Sequence, residues 1–439
     1  MTYNTLELSE LLAEKGYIRG PFGSSLLRKE MLDSGEFAVY EQSNAIKNSR
    51  EFRFFIDRNK FDELKRFAVR ENDLIISCSG TVGRISKIER NSYPGIISQA
   101  LLILRSNEEI ILPDFLKYFL QTKKGQYELL NASHGSVQVN IAPRKIVEKI
   151  PIPCPDIKTQ DAICKILLAI DKKIELNQEM NETLEQIAKI LFKSWFIDFD
   201  PVRAKAEGRP TGLLKEISDL FPYSFEDSEL GQIPKGFKVG KLQEVAKYLN
   251  RGVSPTYVEN SGVYLVNQKC IRNGQIDFNL CKQSKEKSSM NERYLEKYDI
   301  LLNSMGVGTL GRVAMFHKFD KKITADALVT IIKGDNVGSS FFIYYFLERM
   351  EKYLNTISVG STGQTSLKKE DILDLQMIIP PKKLLDEFGS QLSLHAEKKY
   401  INTQESLILT DLRDTLLPKL ISGELKVPEA ENLIEEASI

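Results

Sequence analysis

Residues 73–85 read DLIISCSGTVGRI, and residues 299–313 read DILLNSMGVGTLGRV, the same string with two residues added in the middle. Further matches fall into step around this pair. FLKYFLQT from Phe115 answers FIYYFLER from Phe342, SQAL from Ser98 answers ADAL from Ala325, and Gly135, Ser136 and Gln138 answer Gly360, Ser361 and Gln364. The offset stays between 225 and 228 residues across all of them, and each copy closes on a Pro-bracketed apolar run, IPIPCP or IIPP. One offset held over separated segments marks an internal duplication.

Within each copy, Leu74–Ser77, residues 96–104, Ile300–Asn303 and residues 327–332 read as short strands bounded by Gly, Asn and Ser turns. One clear helix per copy begins near Pro113 and near Ser339. A long, nearly Pro-free and Gly-free stretch then follows each Pro cluster. In the first, Ile163, Leu167, Ile170, Ile174, Asn177, Asn181, Leu184, Ala188, Leu191 and Trp195 step by alternating threes and fours, the seam of a coiled-coil helix of about 58 Å. The second steps through Phe388, Leu392, Ala396, Tyr400, Thr403, Leu407 and Leu417, with Gly389 as a weak point and Gly423 as its cap. Both seams turn polar midway, which fixes register and points to the two helices pairing with each other, antiparallel under a pseudo-twofold.

The expected fold class is therefore α+β: two mixed α/β domains related by internal repeat and joined by two long helices forming an antiparallel coiled coil. The expected boundaries are 1–155 and 236–380 for the repeated domains, 156–197 and 381–423 for the helices, 198–235 for an acidic connector and 424–439 for an acidic tail.

The chain has 439 residues, 42% of them hydrophobic, which excludes a collagen-like or wholly disordered polypeptide. It contains no apolar run of the roughly 18–20 residues that cross a bilayer, and its N-terminus is polar, so a cytoplasmic protein is expected. Five cysteines without a C-x-x-C pair fit neither a disulfide framework nor a zinc ribbon. Sixty Lys and Arg balance sixty Asp and Glu, yet the charge is uneven. Residues 1–155 hold 22 basic and 19 acidic side chains and residues 236–380 hold 20 and 15, whereas 198–231 hold 4 and 8. Two mildly basic blocks are masked by an acidic connector and tail, which leaves nucleic acid open as a partner.

Catalytic constellations are not apparent. Gly306, Gly308 and Gly311 spell G-x-G-x-x-G with Asp326 further on, but RVAMF continues as a second strand where a phosphate-binding helix should open. The sister copy lacks the first glycine and retains only Gly-Thr-x-Gly-Arg, ending in Arg84 and Arg312. His134, His317 and His395 have no companion pattern, and no H-E-x-x-H, G-x-S-x-G, P-loop or Asn/Asp-Pro-Pro-aromatic motif occurs. Gly-Thr-x-Gly-Arg suits a strand–turn–strand whose backbone N–H groups approach a phosphate, with Thr81, Arg84, Thr309 and Arg312 adding side-chain contacts. Ser136, Gln138, Asn140, Ser361, Gln364 and Thr365 in the Gly-Ser-x-Gln loops, together with Arg19, Asn44, Arg251 and Gln268, complete the candidate DNA-binding set, since Asn and Gln pair with adenine and Arg with guanine. A tight hairpin and a polar surface loop explain the same strings without DNA. Trp195, Phe196, Phe199, Phe221 and Phe225 are the candidate subunit interface, with packing inside the chain as the alternative.

LFKSWFIDFDPVRAKAEGRPTGL from Leu191, LFPYSFEDSELGQIPKGF from Leu220 and LRDTLLPKLISGEL from Leu412 resemble the specificity subunit of type I restriction–modification enzymes, and the tandem organisation matches over essentially the whole chain. The resemblance implies two target recognition domains, each reading half of a bipartite asymmetric site in double-stranded DNA, with the long helices as a ruler between them. It implies partners as well: two modification (methyltransferase) subunits, joined by restriction subunits. Adenine methylation with S-adenosylmethionine, and cleavage driven by ATP with Mg, would then belong to those partners, so that this chain is not itself an enzyme and carries no cofactor. The readings that compete are a self-contained DNA methyltransferase or nuclease and a coiled-coil adaptor without DNA affinity.

Overall fold

The computed structural model describes residues 3–22, 25–130, 141–259, 262–306, 308–358 and 366–436. The chain divides into two compact units, Met1–Leu176 with Glu405–Ile439, and Asn177–Gln404.

Among the described residues, nine strands build the first unit: β1 (Thr5–Glu7), β2 (Leu12–Arg19), β3 (Phe37–Tyr40), β4 (Phe55–Ile56), β5 (Leu74–Ser77), β6 (Ile85–Lys87), β7 (Gly95–Ile97), β8 (Leu101–Ser106) and β9 (Pro151–Pro153). They form a four-stranded antiparallel sheet in the order β2-β8-β5-β6, a three-stranded sheet β4-β3-β7 in which β3 and β7 run parallel, and the pair β1-β9. Among the described residues the second unit repeats all nine and adds two short antiparallel hairpins, Phe225–Ser228 with Gly231–Pro234 and Ile271–Arg272 with Gln275–Ile276. The nine counterparts are β10 (Lys238–Lys241), β11 (Ala246–Arg251), β12 (Val263–Val266), β13 (Lys282–Ser284), β14 (Ile300–Asn303), β15 (Val313–Met315), β16 (Ile323–Ala325), β17 (Val329–Gly334) and β18 (Gln376–Ile379). They pair as β11-β17-β14-β15, β13-β12-β16 with β12 parallel to β16, and β10-β18. Residues 96–104, expected as one strand, are two, because Ser98–Ala100 turns the chain from one sheet into the other.

The central strands are apolar at almost every position because both faces are covered. In β5 and β8, Leu74, Ile76, Leu102 and Leu104 point into one core cluster while Ile75, Leu101 and Ile103 point into another. In β14 and β17, Ile300, Leu302 and Ile332 likewise enter one cluster and Leu301, Val329 and Ile331 the other. That alternation is the two-residue period of a strand. At the start of each central strand a buried carboxylate meets a cation from the neighbouring strand: Asp73 with Arg105 at 2.7 Å, and Asp299 with Lys333 at 3.3 Å. Burial pushes the Asp299 carboxyl up to about 6, against the pull of its own backbone hydrogen bond and Lys333.

Four helices matter for function: α1 (Pro113–Gln121), α2 (Ile157–Phe196), α3 (Val337–Arg349) and α4 (Lys382–Ser422). Pro113 opens α1 at its first turn, and Asn336 caps α3 by accepting from the Ser339 N–H at 2.7 Å. In each unit the local segments of α2 and α4 lie antiparallel. Asp171 pairs with Arg413 at 2.9 Å and Lys173 with Glu405 at 3.2 Å in the first unit. In the second, the Asn402 amide donates to Asn181 Oδ1 at 3.0 Å, Glu185 pairs with Lys399, and the Phe196 and Phe388 rings sit 4.9 Å apart edge to face.

Two features of α4 differ from the expected seam. Beyond Ala396 the buried positions are Asn402, Leu409, Leu416, Leu417, Leu420 and Ile421, while Leu407 is 55% exposed and Thr403, though exposed, accepts from the Asn181 amide at 3.2 Å. The helix takes a three-residue step after Ala396, to Lys399, where a four-residue step to Tyr400 was expected, and this rotates the stripe. Gly389 is no weak point either. A Cβ there would lie 2.6 Å from the Gly338 backbone, so it permits a close crossing of α3 over α4.

Candidate nucleic-acid interface

The duplicated Gly-Thr-x-Gly-Arg strings are the β5–β6 and β14–β15 connections. Their hydrogen bonds superpose: Ser77 N–H to Arg84 O and Gly83 N–H to Ser77 O, each 2.9 Å, become Asn303 N–H to Arg312 O and Gly311 N–H to Asn303 O, again each 2.9 Å. Gly83 and Gly311 take φ of +80° and +82°, a left-handed turn that side chains with a Cβ rarely adopt. A β-strand follows each turn, so the G-x-G-x-x-G of the second copy opens no helix. Asp326, its distant acid, accepts from Leu328 N–H at 2.9 Å, and burial pushes its carboxyl up to about 6.

Arg84 leaves the first hairpin exposed, with no side-chain hydrogen bond or ion pair among the described residues; the Thr81 side chain beside it is exposed as well. Arg312 folds back to donate to Gly308 O at 2.6 Å, and Thr309 reaches Gln268 Oε1 at 3.5 Å. Arg19 and Arg251, at the ends of β2 and β11, occupy matching places with different surroundings. Arg19 lines a cleft of about 770 Å³ that also gathers Lys15, Arg66, Arg70, Arg105 and Arg144 around Tyr17 and Phe22. Of these cations, Arg105 is committed to Asp73 and Arg144 to Glu148, and Lys15 stands 3.9 Å from Glu14, a carboxylate that also lines the cleft. Arg251 is pinned, donating to Leu367 O at 2.8 Å and to Met305 Sδ at 3.2 Å. Asn44 is 3% exposed and its whole amide is engaged inside its own loop, donating to Ser49 O and Glu51 O and accepting from Glu41 N–H. That makes it part of the loop's frame, which corrects its candidacy for reading bases. Ser136, Gln138, Asn140, Ser361, Gln364 and Thr365 lie outside the described residues, as does His134.

The expected interface aromatics are also corrected. Trp195, Phe196, Phe199 and Phe221 are 1–5% exposed, and Phe225 packs half-buried against Phe199. Trp195 meets Phe221 edge to face at 5.1 Å, so these rings anchor the connector to the second unit's own core. The exposed large apolar side chains on the helices include Ile187 and Ile190 on α2 (44% and 65%) and Leu394 and Ile401 on α4 (71% and 51%). The cationic cleft and Gln42, discussed below, were missed at the sequence level. For Gln42 a signal existed, since EQSN at 41–44 stands 226 residues before NQKC at 267–270. Among the described residues no His, Cys, Asp and Glu cluster could hold a metal ion, and no helix is long and apolar enough to cross a membrane.

Comparison with known proteins matches the same two blocks. The type I restriction modification DNA specificity domain matches residues 20–186 and again 234–402. The HindI specificity subunit of Haemophilus influenzae is 27% identical over 405 residues, covering 82% of this chain and 87% of its own. The MjaIX specificity subunit of Methanocaldococcus jannaschii is 30% identical over 377 residues, covering 82% and 81%. The crystal structure of a type I S subunit from M. genitalium shares the fold over 96% of both chains, with a TM-score of 0.60 at 16% identity. Two matched blocks on two units of the same topology establish that the chain belongs to the type I restriction–modification DNA specificity family.

Proposed function

We propose that this chain is the sequence-reading subunit of a type I restriction–modification complex, with each unit addressing one half of a bipartite, asymmetric DNA site. The observation that carries this reading is the duplicated hairpin: the same hydrogen-bonded Gly turn, with an arginine at its end, is built twice on the same sheet order. Two copies of one frame suit two half-sites, and paired helices suit a fixed gap between them. The exposed aliphatic positions on α2 and α4 are offered to two modification subunits, with restriction subunits joining that assembly. Bond-making, S-adenosylmethionine, ATP and Mg belong to those partners.

The near-zero net charge implies weak DNA binding by the isolated chain and a gain when modification subunits close around the duplex. The test is duplex binding across a salt series, alone and with the modification subunit, followed by mapping of methylated sites in a host expressing both. A split motif with a constant gap supports the reading. Equal affinity with and without the partner, or methylation by the chain alone, would refute it.

A further inference from the structure

Each Gly hairpin is gripped from two sides by side-chain amides. In the first unit Gln42, two residues beyond β3, turns its amide nitrogen onto the hairpin, donating to the Ser79 carbonyl and, at 2.7 Å, to Ser79 Oγ. From the other side the Gln126 amide bridges Gly83 O at 2.9 Å and Leu120 O at 2.7 Å, tying the hairpin to the end of α1. The second unit places amides at both positions, with one contact reversed. Gln268, two residues beyond β12, is the acceptor, reached by the Thr309 hydroxyl at 3.5 Å, and a Cβ on Gly306 would stand 2.1 Å from its Oε1. Asn355 bridges Leu310 O at 3.0 Å and Glu351 O at 2.8 Å. A packing role alone would not require amides at both places in both copies, because any side chain of that volume would fill the space.

Resting on the DNA-reading assignment above, we infer that Gln42 and Gln268 are positioning residues for recognition, each locking its Gly hairpin in the one arrangement that presents Thr81 and Arg84, or Thr309 and Arg312, to its own half-site. A hairpin of glycines is otherwise free to take many backbone conformations, and ordering it on DNA would weaken binding. The amide pre-orders it in the free protein.

The test uses the full chain assembled with its modification subunit. Gln42→Met keeps the length of the side chain and removes both donors; Gln42→Glu keeps an acceptor but has no amide donor. Both should weaken binding to the cognate site by about tenfold, the scale of one lost hydrogen bond. Backbone protection in a hydroxyl-radical footprint should fade over one half-site alone, and the thermal melting temperature should not change. Gln268→Met should erase protection over the other half-site. A purely structural role predicts a lowered melting temperature or an equal loss over both halves, and either outcome, or wild-type footprints in the variants, overturns the inference. If the wild-type assembly gives no bipartite footprint, it is the DNA-reading assignment that fails instead.

Discussion

Lengthening both long helices together should widen the gap in the recognised site and leave both half-sites intact. Helices α2 and α4 contain 40 and 41 residues, about 60 Å each at 1.5 Å per residue. Both run without interruption through the points where the chain passes from one compact unit to the other, after Leu176 on α2 and after Gln404 on α4. Four residues inserted at each point add about 6 Å, or one to two base pairs at roughly 3.4 Å per pair. The same insertion turns a helix about 40° past a full turn, while two base pairs turn the duplex by about 70°, so the two rotations nearly keep step. Seven residues per helix would restore the seam and add about 10 Å, close to three base pairs. Insertion into α2 alone is the control. It puts the first unit's pairs Asp171–Arg413 and Lys173–Glu405 out of step with the second unit's Asn181–Asn402 and Glu185–Lys399, so that one set must break or the inserted residues must bulge, and a broken buried polar pair costs about 1–3 kcal/mol. Single-helix insertion should therefore lower the melting temperature where the paired insertion does not. The assay is methylome mapping of a host expressing each variant with the modification subunit. Altered half-sites at an unchanged gap would show that the helices do not set the spacing.

Three further outcomes are expected. Arg84→Ala, at an exposed guanidinium, should leave the melting temperature unchanged and reduce the slope of log affinity against log salt by about one if the side chain meets a phosphate, whereas relaxation at a single base position would mark it as a base reader. Ile190→Glu, at a 65% exposed helix position, should impair co-purification with the modification subunit without changing the circular dichroism or melting of the chain; full assembly would remove this face from the interface. His317 packs against Tyr298, and burial pulls its imidazole down to about 4 from an ordinary 6.5, so it folds neutral. The stability it supports is present above about pH 6.5 and is lost as pH falls toward 4, by up to about 3 kcal/mol. His317→Phe should remove that acid-side loss in melts compared with wild type between pH 7 and 4.5. Asp299 and Asp326 act in the opposite sense but are common to both proteins, so they drop out of the comparison.

Much of this architecture was legible because duplication writes each element twice. Leu74–Ser77 and Ile300–Asn303 look alike as strings and occupy the same place in their sheets. Rejecting the G-x-G-x-x-G motif needed only the sister copy. The α4 seam was misjudged after Ala396 because Tyr400 and Thr403 offer the same spacing as Lys399 and Asn402, and only the partner helix decides which pair is inside. The aromatic cluster around Trp195 was ambiguous for a related reason: an apolar string gives the same signal whether a foreign subunit or the chain's own connector covers it. Asn44 shows the limit for polar residues. An amide suited to adenine is equally suited to closing a loop, and nothing in its neighbours' identities separates the two roles.

The two copies also differ in the way that the proposed pair of unlike half-sites calls for. Their frames agree in the buried acid–base pair, the left-handed Gly turn and the double amide grip, features that set where the backbone runs and leave sequence preference open. Divergence falls on the groups that face outward. Arg19 opens into a cleft crowded with guanidinium groups, while Arg251 is held on the Leu367 carbonyl; Arg84 is exposed and without a side-chain partner among the described residues, while Arg312 folds onto Gly308. A pinned arginine offers fewer donors and less local positive potential than a free one. The first unit should therefore hold its half-site with the steeper salt dependence and the second with the weaker. Competition by half-site duplexes across a salt series measures that difference directly, and identical slopes for the two halves would mean that these arginines do not face the DNA.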